Sequence, residues 1–440
     1  MPSPILYLPF KIPVRYDLVK PLASWLDDDE SQTAFGSGNG SSAYSYYSDS
    51  PDAAPSMVLP KPTYNSVQCR SELLRIAALR NCQSEALMDS HQSALEEHQM
   101  LRDCQDYHAT LLEFEKRGFP TGSTDDENGI NLTWRGAFCD DEQETHHTLL
   151  WDRACTLWNL AALLSAEAAL KSDENTKEGL LLAIRNLQQA ASHLSLCRQL
   201  LEFSQENDCI STVDLSKPML QFWEKLLLAQ AQARIYKMAN LGGSSVRNHT
   251  TLAYLIQGAA PLYNEALVLA QDPRLQSEVP DQCQEWAAHC KAKSLLCQAR
   301  AYFHMSIEHR LSQNENAHGS ELARLKQATS TLDEVLKFCK STQKLREASE
   351  GKRNMKRNHK TGRPTPIAEA ASTIQPEAEG LKKLASDRYK AAELDNRTIY
   401  LEDIPNVSEL LEIRAQTMVK TDLPLPEAML QPRANLFEWE

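Results

Sequence analysis

Apolar residues recur at spacings of three and four between positions 150 and 194, a pattern that predicts two long helices. The apolar face of the first helix consists of Leu150, Ala154, Leu157, Trp158, Ala161, Leu164 and Ala168. The apolar face of the second helix consists of Leu180, Ile184, Leu187, Ala191 and Leu194. Because the short polar stretch Lys171–Lys177 separates the two, we expect an antiparallel helical hairpin.

The same periodicity predicts further helices on both sides of this hairpin. They cover Tyr64–Lys116 as one helix or two, Lys217 to Gly242, Leu252–Ala270, Pro280–Leu311, Gly319–Phe338 and Pro376–Leu394. Segments typical of strands are confined to Ile5–Phe10 and Leu132–Trp134. The expected fold class is therefore mostly α, with a core of helical hairpins that resembles tetratricopeptide layers and a short N-terminal β segment.

Three segments depart from the helical pattern. Residues 27–62 are rich in Ser, Gly, Asp, Pro and Tyr and poor in aliphatic residues, which predicts a disordered insertion. Lys and Arg residues are concentrated between Lys337 and Arg363, and the Gly and Pro residues there predict a basic loop over residues 340–370. The proline-punctuated stretch Ile399–Pro432 is expected to run extended along the helices.

Composition narrows the function classes. A formal net charge of −13 argues against a general nucleic-acid binder, because phosphate binding needs a basic field. The 11 cysteines are odd in number and scattered, so we expect reduced thiols in a cytoplasmic protein rather than a disulfide framework. Met1–Leu26 lacks the pattern of a signal peptide, and no apolar run is long enough to span a bilayer.

The sequence contains no motif for enzyme chemistry: neither a phosphate-binding Gly-rich loop, a dinucleotide fingerprint nor a nucleophile elbow. His146 and His147 are adjacent, so they would point apart on a helix, and a solvated loop is expected. Cys283, Cys290 and Cys297 are spaced by two helical turns, about 10 Å, which is too far to share one metal ion. We therefore predict core cysteines, no catalytic residues, no metal site and no cofactor.

Several motifs resemble those of one family. They are Trp134 with Ala137 and Phe138, Trp151-Asp152-Arg153, the run from Leu157 to Ala162, Leu228–Gln232, Glu321–Leu325, and Ile399-Tyr400 with Ile404-Pro405. Together they resemble the BRO-type domain of ALIX-like endosomal adaptors. Gly136 stands where an acid is usual in that family, and Arg153 replaces a Lys. The resemblance implies one elongated, curved BRO-type domain over residues 1–430, with 431–440 as a C-terminal tail.

The resemblance also implies a function. It is that of a non-catalytic adaptor, cytoplasmic and peripherally associated with endosomes, that binds the C-terminal amphipathic helix of an ESCRT-III subunit in multivesicular-body sorting. The residues that correspond to the family's partner-binding patch are Ile235, Lys237, Leu252, Leu255 and Met418. Lys237 would pair with acids of the partner, and the apolar residues would contact its helix. For Ile235 and Leu255 an ordinary core position is the alternative.

Other interpretations remain open. Lys352, Arg353, Lys356 and Arg357 of the basic stretch would suit contact with an anionic endosomal membrane, and a solvated loop is the alternative. A signalling scaffold of the rhophilin or fungal pH-response type is a second candidate function. An enzyme with an unrecognised site is a third. Neither a nucleic-acid partner nor a small-molecule substrate is expected, and the sequence does not identify the cognate ESCRT-III subunit.

Overall fold

The computed structural model describes residues 6–16, 18–19, 67–86, 94–116, 130–138, 143–203, 212–241, 248–312, 314–354 and 366–420. The chain divides into two compact units. The larger unit consists of residues 1–9 and 161–423. The smaller unit consists of residues 10–160 and 424–440.

Helices dominate the described residues. In chain order they are α1 Val67–Ala86, α2 Ala94–Lys116, α3 Leu149–Asp173, α4 Lys177–Phe203, α5 Lys217–Leu241, α6 His249–Gln257, α7 Ala259–Ala270, α8 Pro273–Glu278, α9 Pro280–Leu311, α10 Ala317–Asn354 and α11 Pro366–Asp395. A π-helical turn at Asn396–Tyr400 and a 3-10 turn at Val407–Glu409 follow α11.

The smaller unit contains a three-stranded antiparallel sheet. Its strands, in sheet order, are β1 Ile12–Pro13, β2 Leu132–Arg135 and β3 Gln143–His146. Trp134 of β2 pairs with Pro13 on one side and with Glu144 on the other. The alternation of β2 places Leu132 and Trp134 on the buried face, where neither side chain is accessible to solvent.

A buried carboxylate connects the elements of the smaller unit. Asp152 of α3 accepts hydrogen bonds from Arg80 of α1 at 3.3 Å, from the Tyr107 hydroxyl of α2 at 2.5 Å, and from the Trp134 indole N–H of β2 at 2.6 Å. Burial, and then the charge of Asp152, hold the pKa of Tyr107 well above its ordinary value, so its hydroxyl stays protonated and donates. Arg80 also donates to the backbone carbonyl of Val14. One ionised group thus fixes two helices and a strand against α3.

In the larger unit, α4 packs on α5, α5 on α7, and α9 on α10, which in turn packs on α11. Small residues of α9 allow close approach, and they meet aliphatic residues of the next two helices. That core cluster comprises Ala292, Leu296, Ala299, Leu332, Val335, Ile374, Ala378 and Leu381. Phe222, Trp223 and Trp286 form a second, aromatic contact between α5 and α9, with ring centroids 4.7–5.7 Å apart.

Side-chain amides bind segments that have no regular structure. Asn159 accepts from the backbone N–H of Lys11 and donates to its carbonyl, both at 2.9 Å. Gln230 makes the same pair of bonds with Leu6, at 2.6 and 3.0 Å. A carboxamide presents one donor and one acceptor as a peptide group does, so each of these side chains acts as a one-residue strand partner. The chain around Leu6 and Lys11 is thereby held in place by side chains, without the backbone hydrogen bonds of a β-ladder.

The helical hairpin predicted from the periodicity is confirmed as α3 and α4, and Trp158 is fully buried. Cys283, Cys290 and Cys297 are core residues as predicted, and burial raises the pKa of Cys283 to about 11. The strand predicted at Ile5–Phe10 is wrong: within its described residues 6–10 no strand forms, and β1 lies at Ile12–Pro13. The backbone of residues 6–11 instead bonds to side chains.

The basic loop predicted for residues 340–370 is wrong over much of its length. Helix α10 continues to Asn354, and α11 begins at Pro366 rather than at Pro376. Residues 340–354 are mostly Lys, Arg, Glu, Gln, Ala and Ser, and their helix propensity outweighs the single Gly351. Pro366 stands at the first helical position, where a missing N–H costs nothing. Residues 355–365, and the insertion predicted at 27–62, lie outside the described residues.

Across the described ranges, no three His, Cys, Asp or Glu side chains are grouped so that they could hold a metal ion. The described helices also include none with the length and apolar character needed to cross a bilayer.

His146 and His147 do not lie in a solvated loop. His146 is half-buried in β3 and packs against Trp151 with ring centroids 4.1 Å apart and the rings tilted by 34°, and His147 contacts the carbonyl of Ile130.

We expect Asp152→Asn to lower the free energy of unfolding by about 3–5 kcal/mol, because Arg80 keeps its charge in the core without the carboxylate. Chemical denaturation monitored by circular dichroism measures this change. Glu174→Gln is the matched control, since it removes an acid from the exposed Lys171–Glu174 pair, and it should leave the midpoint unchanged. Equal midpoints for parent and Asp152→Asn would contradict the role of the network.

The buried His289 should make stability depend on pH. Burial, and then the charge of Lys293, lower its pKa to about 3, whereas an unfolded histidine titrates near its ordinary value of about 6.5. Below that value the unfolded chain takes up a proton that the folded chain refuses, so stability falls as pH decreases from about 6.5 towards 3. Between these limits we expect the parent to lose about 1.4 kcal/mol per pH unit more than His289→Leu. Parallel stability curves from urea titrations at several pH values would refute this.

Candidate protein-interaction site

The last described residues of the chain cross a helical face of the larger unit. We call residues 411–420 the C-terminal segment; it has no regular secondary structure. The buried side chain of Gln232 on α5 donates to the carbonyls of Leu255 and Gln416, at 2.8 and 2.9 Å. Its oxygen accepts from the backbone N–H of Met418 at 2.8 Å. One amide therefore joins α5, α6 and the C-terminal segment.

Further hydrogen bonds fix the path of this segment. The N–H of Gln416 donates to the carbonyl of Tyr254 at 3.0 Å, and the N–H of Lys420 donates to Gln188 of α4 at 3.0 Å. Gly258 lies directly under the segment, because a Cβ at that position would be 2.3 Å from the carbonyl oxygen of Gln416. The segment thus runs from the α6–α7 junction across α5 to α4.

Two of the predicted partner-binding residues border this segment. Ile235 lies three residues after Gln232, so it is on the same side of α5, and it is half-buried. Met418 belongs to the segment itself, and 52% of its surface is exposed. The structure therefore places an apolar side chain of α5 and one of the C-terminal segment on a single face.

The two predicted leucines of α6 are placed differently. Leu252 and Leu255 are 5% and 7% exposed, so their side chains belong to the core of the larger unit. They are three residues apart and share the inner face of α6, which packs on both α5 and α9. Tyr254, which is half-buried, contributes its carbonyl to the surface next to the segment. Leu255 contributes its backbone carbonyl to Gln232 rather than an exposed side chain.

Lys237 is not brought together with the other predicted residues. It follows Ile235 by two positions, and two residues on a helix point about 200° apart, nearly opposite ways. Its ammonium group is enclosed, and it lies in the field of Arg234, Asp173 and Glu377. The contact with a partner's acids that the resemblance implies would have to come from another side chain.

An open depression continues the same face of α5. Its volume is about 820 Å³, and it is lined by residues of α4, α5, α6, α7 and α9. Gln221 and Lys225 line it from α5, eleven and seven residues before Gln232, which places them on the side of the helix that faces the C-terminal segment. Lys225 pairs with Glu265 across it at 2.8 Å, and Val268 at its edge is 68% exposed. The face therefore offers apolar and paired charged groups in succession.

The residues predicted to contact a membrane have no described side chains. Lys352 and Arg353 lie in the last turn of α10, of which the backbone alone is described. Lys356 and Arg357 lie outside the described residues. Their contact with a membrane stays a prediction.

Four residues of the site were missed by sequence reasoning: Gln188, Gln232, Tyr254 and Gly258. Gln232 belongs to the motif Leu228–Gln232, which was recognised as a resemblance without a structural role for its amides. A polar residue inside an otherwise apolar helical face is a signal that something must satisfy it. The partner of Gln232, however, is 184 residues away, and no local pattern indicates it.

Curated proteins similar to this chain are longer than it is. A pH-response regulator palA/RIM20 of Emericella nidulans is 26% identical over 298 residues, which is 67% of this chain and 30% of the relative. The vacuolar-sorting protein BRO1 of Arabidopsis thaliana is 25% identical over 316 residues, covering 71% of this chain and 33% of the relative. A human tyrosine-protein phosphatase non-receptor type 23 is 24% identical over 315 residues, covering 72% of this chain and 16% of the relative. The chain therefore matches at most about a third of each of these proteins.

Solved structures match over almost the whole chain. A complex of the ALIX BRO1 domain with CHMP4C matches with a TM-score of 0.69 and 19% identity, covering 99% of both chains. A structure described as the basis for endosomal targeting by the Bro1 domain matches with a TM-score of 0.63 and 18% identity, covering 96% of this chain and 93% of the other. These likenesses establish the fold. The model of the BRO1-like domain matches residues 61–438, most of the chain, and the protein therefore belongs to the BRO1-like domain family.

Proposed function

We propose that this protein is a non-catalytic adaptor that binds the C-terminal amphipathic helix of an ESCRT-III subunit, in the cytoplasm and at the endosomal surface. The observation that carries the proposal is the position of the exposed Met418 and the half-buried Ile235 on the side of α5 that continues into the 820 Å³ depression. Two comparisons support the class of partner: the same fold is known in complex with CHMP4C, and a plant relative is a vacuolar-sorting protein.

The dimensions of the face suit a helix. From Gln221 to Ile235, α5 extends over about four helical turns, about 21 Å; Gln221, Lys225 and Ile235 are half-buried, and Leu226–Gln232 between them are buried. A partner helix of similar length would place apolar residues spaced by three and four over Ile235 and Met418. Its polar side would meet the Lys225–Glu265 pair and the charges of Arg198 and Glu224 at the depression. Such a helix buries its apolar stripe and keeps its charges hydrated.

Leu252 and Leu255 have a supporting role in this proposal. Because both are buried, they set the position of α6, and α6 supplies the carbonyls of Tyr254 and Leu255 to the C-terminal segment and to Gln232. A charged substitution at either leucine would lower stability, so binding loss there would not identify a contact. Ile235 and Met418 are the informative positions.

A second function rests on a different comparison. The pH-response regulators of Emericella nidulans and Yarrowia lipolytica match 67% and 72% of this chain. A signalling scaffold would use the same face for a partner other than an ESCRT-III subunit. Capture of proteins from lysate by parent and Met418→Asp, followed by mass spectrometry, discriminates the two: the partner lost with Met418→Asp is the ligand of this face.

We expect Met418→Asp and Ile235→Asp each to weaken binding of an ESCRT-III C-terminal peptide by about thirtyfold or more. Truncating a central apolar side chain in such an interface, or replacing it by a charged one, weakens the binding free energy by about 2 kcal/mol or more. Leu384→Asp is the matched control, since Leu384 is 61% exposed on α11, away from this face. Isothermal titration calorimetry measures the affinities, and thermal melts should be unchanged in all three variants. If Met418→Asp and Ile235→Asp bind the peptide with the affinity of the parent, the proposed binding face is refuted.

We expect Gly258→Ala to displace the C-terminal segment, because the new Cβ would be 2.3 Å from the carbonyl oxygen of Gln416. Amide hydrogen exchange at Gln416 and Met418 should accelerate, and peptide affinity should fall with it. Gly380→Ala is the control, since a Cβ there meets nothing within 4 Å. If exchange accelerates while affinity stays at the parent value, the segment is not part of the binding face.

A further inference from the structure

Exposed apolar side chains are concentrated in the chain that follows α11. We call residues 396–411 the apolar loop; it begins with the π-helical turn and meets the C-terminal segment at Leu411. Five of its aliphatic residues are between 49% and 89% exposed: Ile399, Leu401, Ile404, Val407 and Leu411. Single apolar residues are common on protein surfaces, whereas a group of large ones within one loop marks an interaction site.

The backbone of the apolar loop is fixed to the larger unit. Asn396 donates to the carbonyl of Glu402 at 2.9 Å and accepts from its N–H at 3.1 Å. The Glu402 carboxylate accepts from the N–H of Gly319 on α10 at 2.8 Å. A Cβ at Gly319 would overlap the carbonyl oxygen of Asp403, so the loop lies directly on α10. The exposed side chains are therefore attached to a backbone that is already held in one conformation.

Leu401 has a backbone conformation that leucine rarely adopts. Its φ is 55°, in the left-handed region, where the Cβ of an L-residue comes too close to the following carbonyl oxygen. Glycine would adopt this conformation without that cost. The Leu401 side chain is 75% exposed, so its burial within this chain does not offset the strain. A large apolar side chain at a strained and exposed position is explained if a partner covers it.

The charge of the loop indicates the chemistry of such a partner. From Leu401 to Ile413 the chain has no Lys or Arg and four acids, which are Glu402, Asp403, Glu409 and Glu412. Nearby Arg310 pairs with Asp395 and Glu321 instead. Even with the flanking Arg397 and Arg414, four acids stand against two bases over residues 397–414. Such a surface attracts a basic partner and repels an anionic membrane.

We propose that the apolar loop binds a basic amphipathic segment of another protein. Apolar residues of that segment cover Ile399, Leu401 and Ile404, and its Lys or Arg residues pair with Asp403 and Glu412. Because the loop is held in place before binding, it loses little conformational freedom when the partner docks. This surface is separate from the proposed ESCRT-III site and does not rest on it.

The basic stretch of the same molecule does not reach the loop. It begins at Lys337, which is 18 residues along α10 from Gly319, about 27 Å away. From there α10 runs further from the loop, up to Asn354. The ligand therefore comes from a different molecule.

The test measures binding of a fluorescent peptide of about 18 residues, composed of Leu at spacings of three and four with Lys elsewhere, to the full-length chain by anisotropy. We expect saturable binding to the parent that weakens as salt is added, and at least about tenfold weaker binding to Leu401→Gly. Because glycine suits a φ of 55°, the free energy of unfolding of Leu401→Gly should not fall. The matched control is Leu384→Ala, which removes a leucine that is 61% exposed beside Lys383 and should bind as the parent does.

A second variant tests the charges of the loop. The double substitution Asp403→Asn and Glu412→Gln removes two negative charges and should weaken binding about threefold, since both side chains are exposed. A peptide with Glu in place of every Lys should not bind the parent. Equal affinity of parent and Leu401→Gly, no binding by the parent, or equal binding of the two peptides would overturn the proposal.

The remaining measurements distinguish other occupants of the loop. Phosphatidylcholine vesicles that bind the parent but not Leu401→Gly, without peptide binding, would identify a lipid surface and overturn the proposal. Self-association in sedimentation velocity that is lost in Leu401→Gly, again without peptide binding, would identify a second copy of this chain. Met418→Asp should bind the Leu–Lys peptide as the parent does, so this proposal and the ESCRT-III proposal fail independently of each other.

Discussion

Every backbone N–H and C=O that leaves water must find a partner, and in this protein the irregular segments meet that requirement through side-chain amides. Asn159 bonds to both backbone groups of Lys11, Gln230 to both of Leu6, and Asn396 to both of Glu402. Gln232 bonds to the carbonyl of Gln416 and to the N–H of Met418 in the C-terminal segment. These bonds let chain without helix or strand lie on helical surfaces, and the candidate interaction face exists because one such segment is held there.

The smaller unit solves a related problem with an ionised group. Asp152 collects donors from a guanidinium, a phenol and an indole, so the charge is fully solvated by protein. The two units therefore use polar atoms inside their cores for position rather than for net energy. Apolar burial supplies the stabilisation, while the amides and the carboxylate select one arrangement of the elements.

Local patterns in the sequence were sufficient to predict the helices, but not the contacts between residues far apart in the chain. The periodicity of α3 and α4 and the burial of Trp158 follow from residues close together in the chain. The basic stretch was misjudged because its charge and its Gly and Pro residues were weighed above helix propensity. The strand near the N-terminus was misjudged because its backbone bonds to Gln230, Ser165 and Asn159, at separations of 148 to 224 residues. The residues close to a strand in the sequence do not indicate a hydrogen-bond partner at such a separation. The same holds at the site. Leu252 and Leu255 are buried because α6 packs on α5 and α9, and the sequence around the two leucines does not indicate that packing.

The paired amides also make the fold sensitive to changes that preserve size. Replacing the NH₂ of Asn159 or Gln230 by oxygen gives Asp or Glu, which are isosteric but have no donor when ionised. The new carboxylate oxygen would then face the carbonyl of Lys11 or of Leu6 across the distance of a former hydrogen bond. Attraction would become repulsion at a buried position, and the segment would be released although no atom had grown or shrunk. Spontaneous deamidation, a slow chemical reaction of asparagine and glutamine, would therefore release these segments just as the corresponding substitutions would.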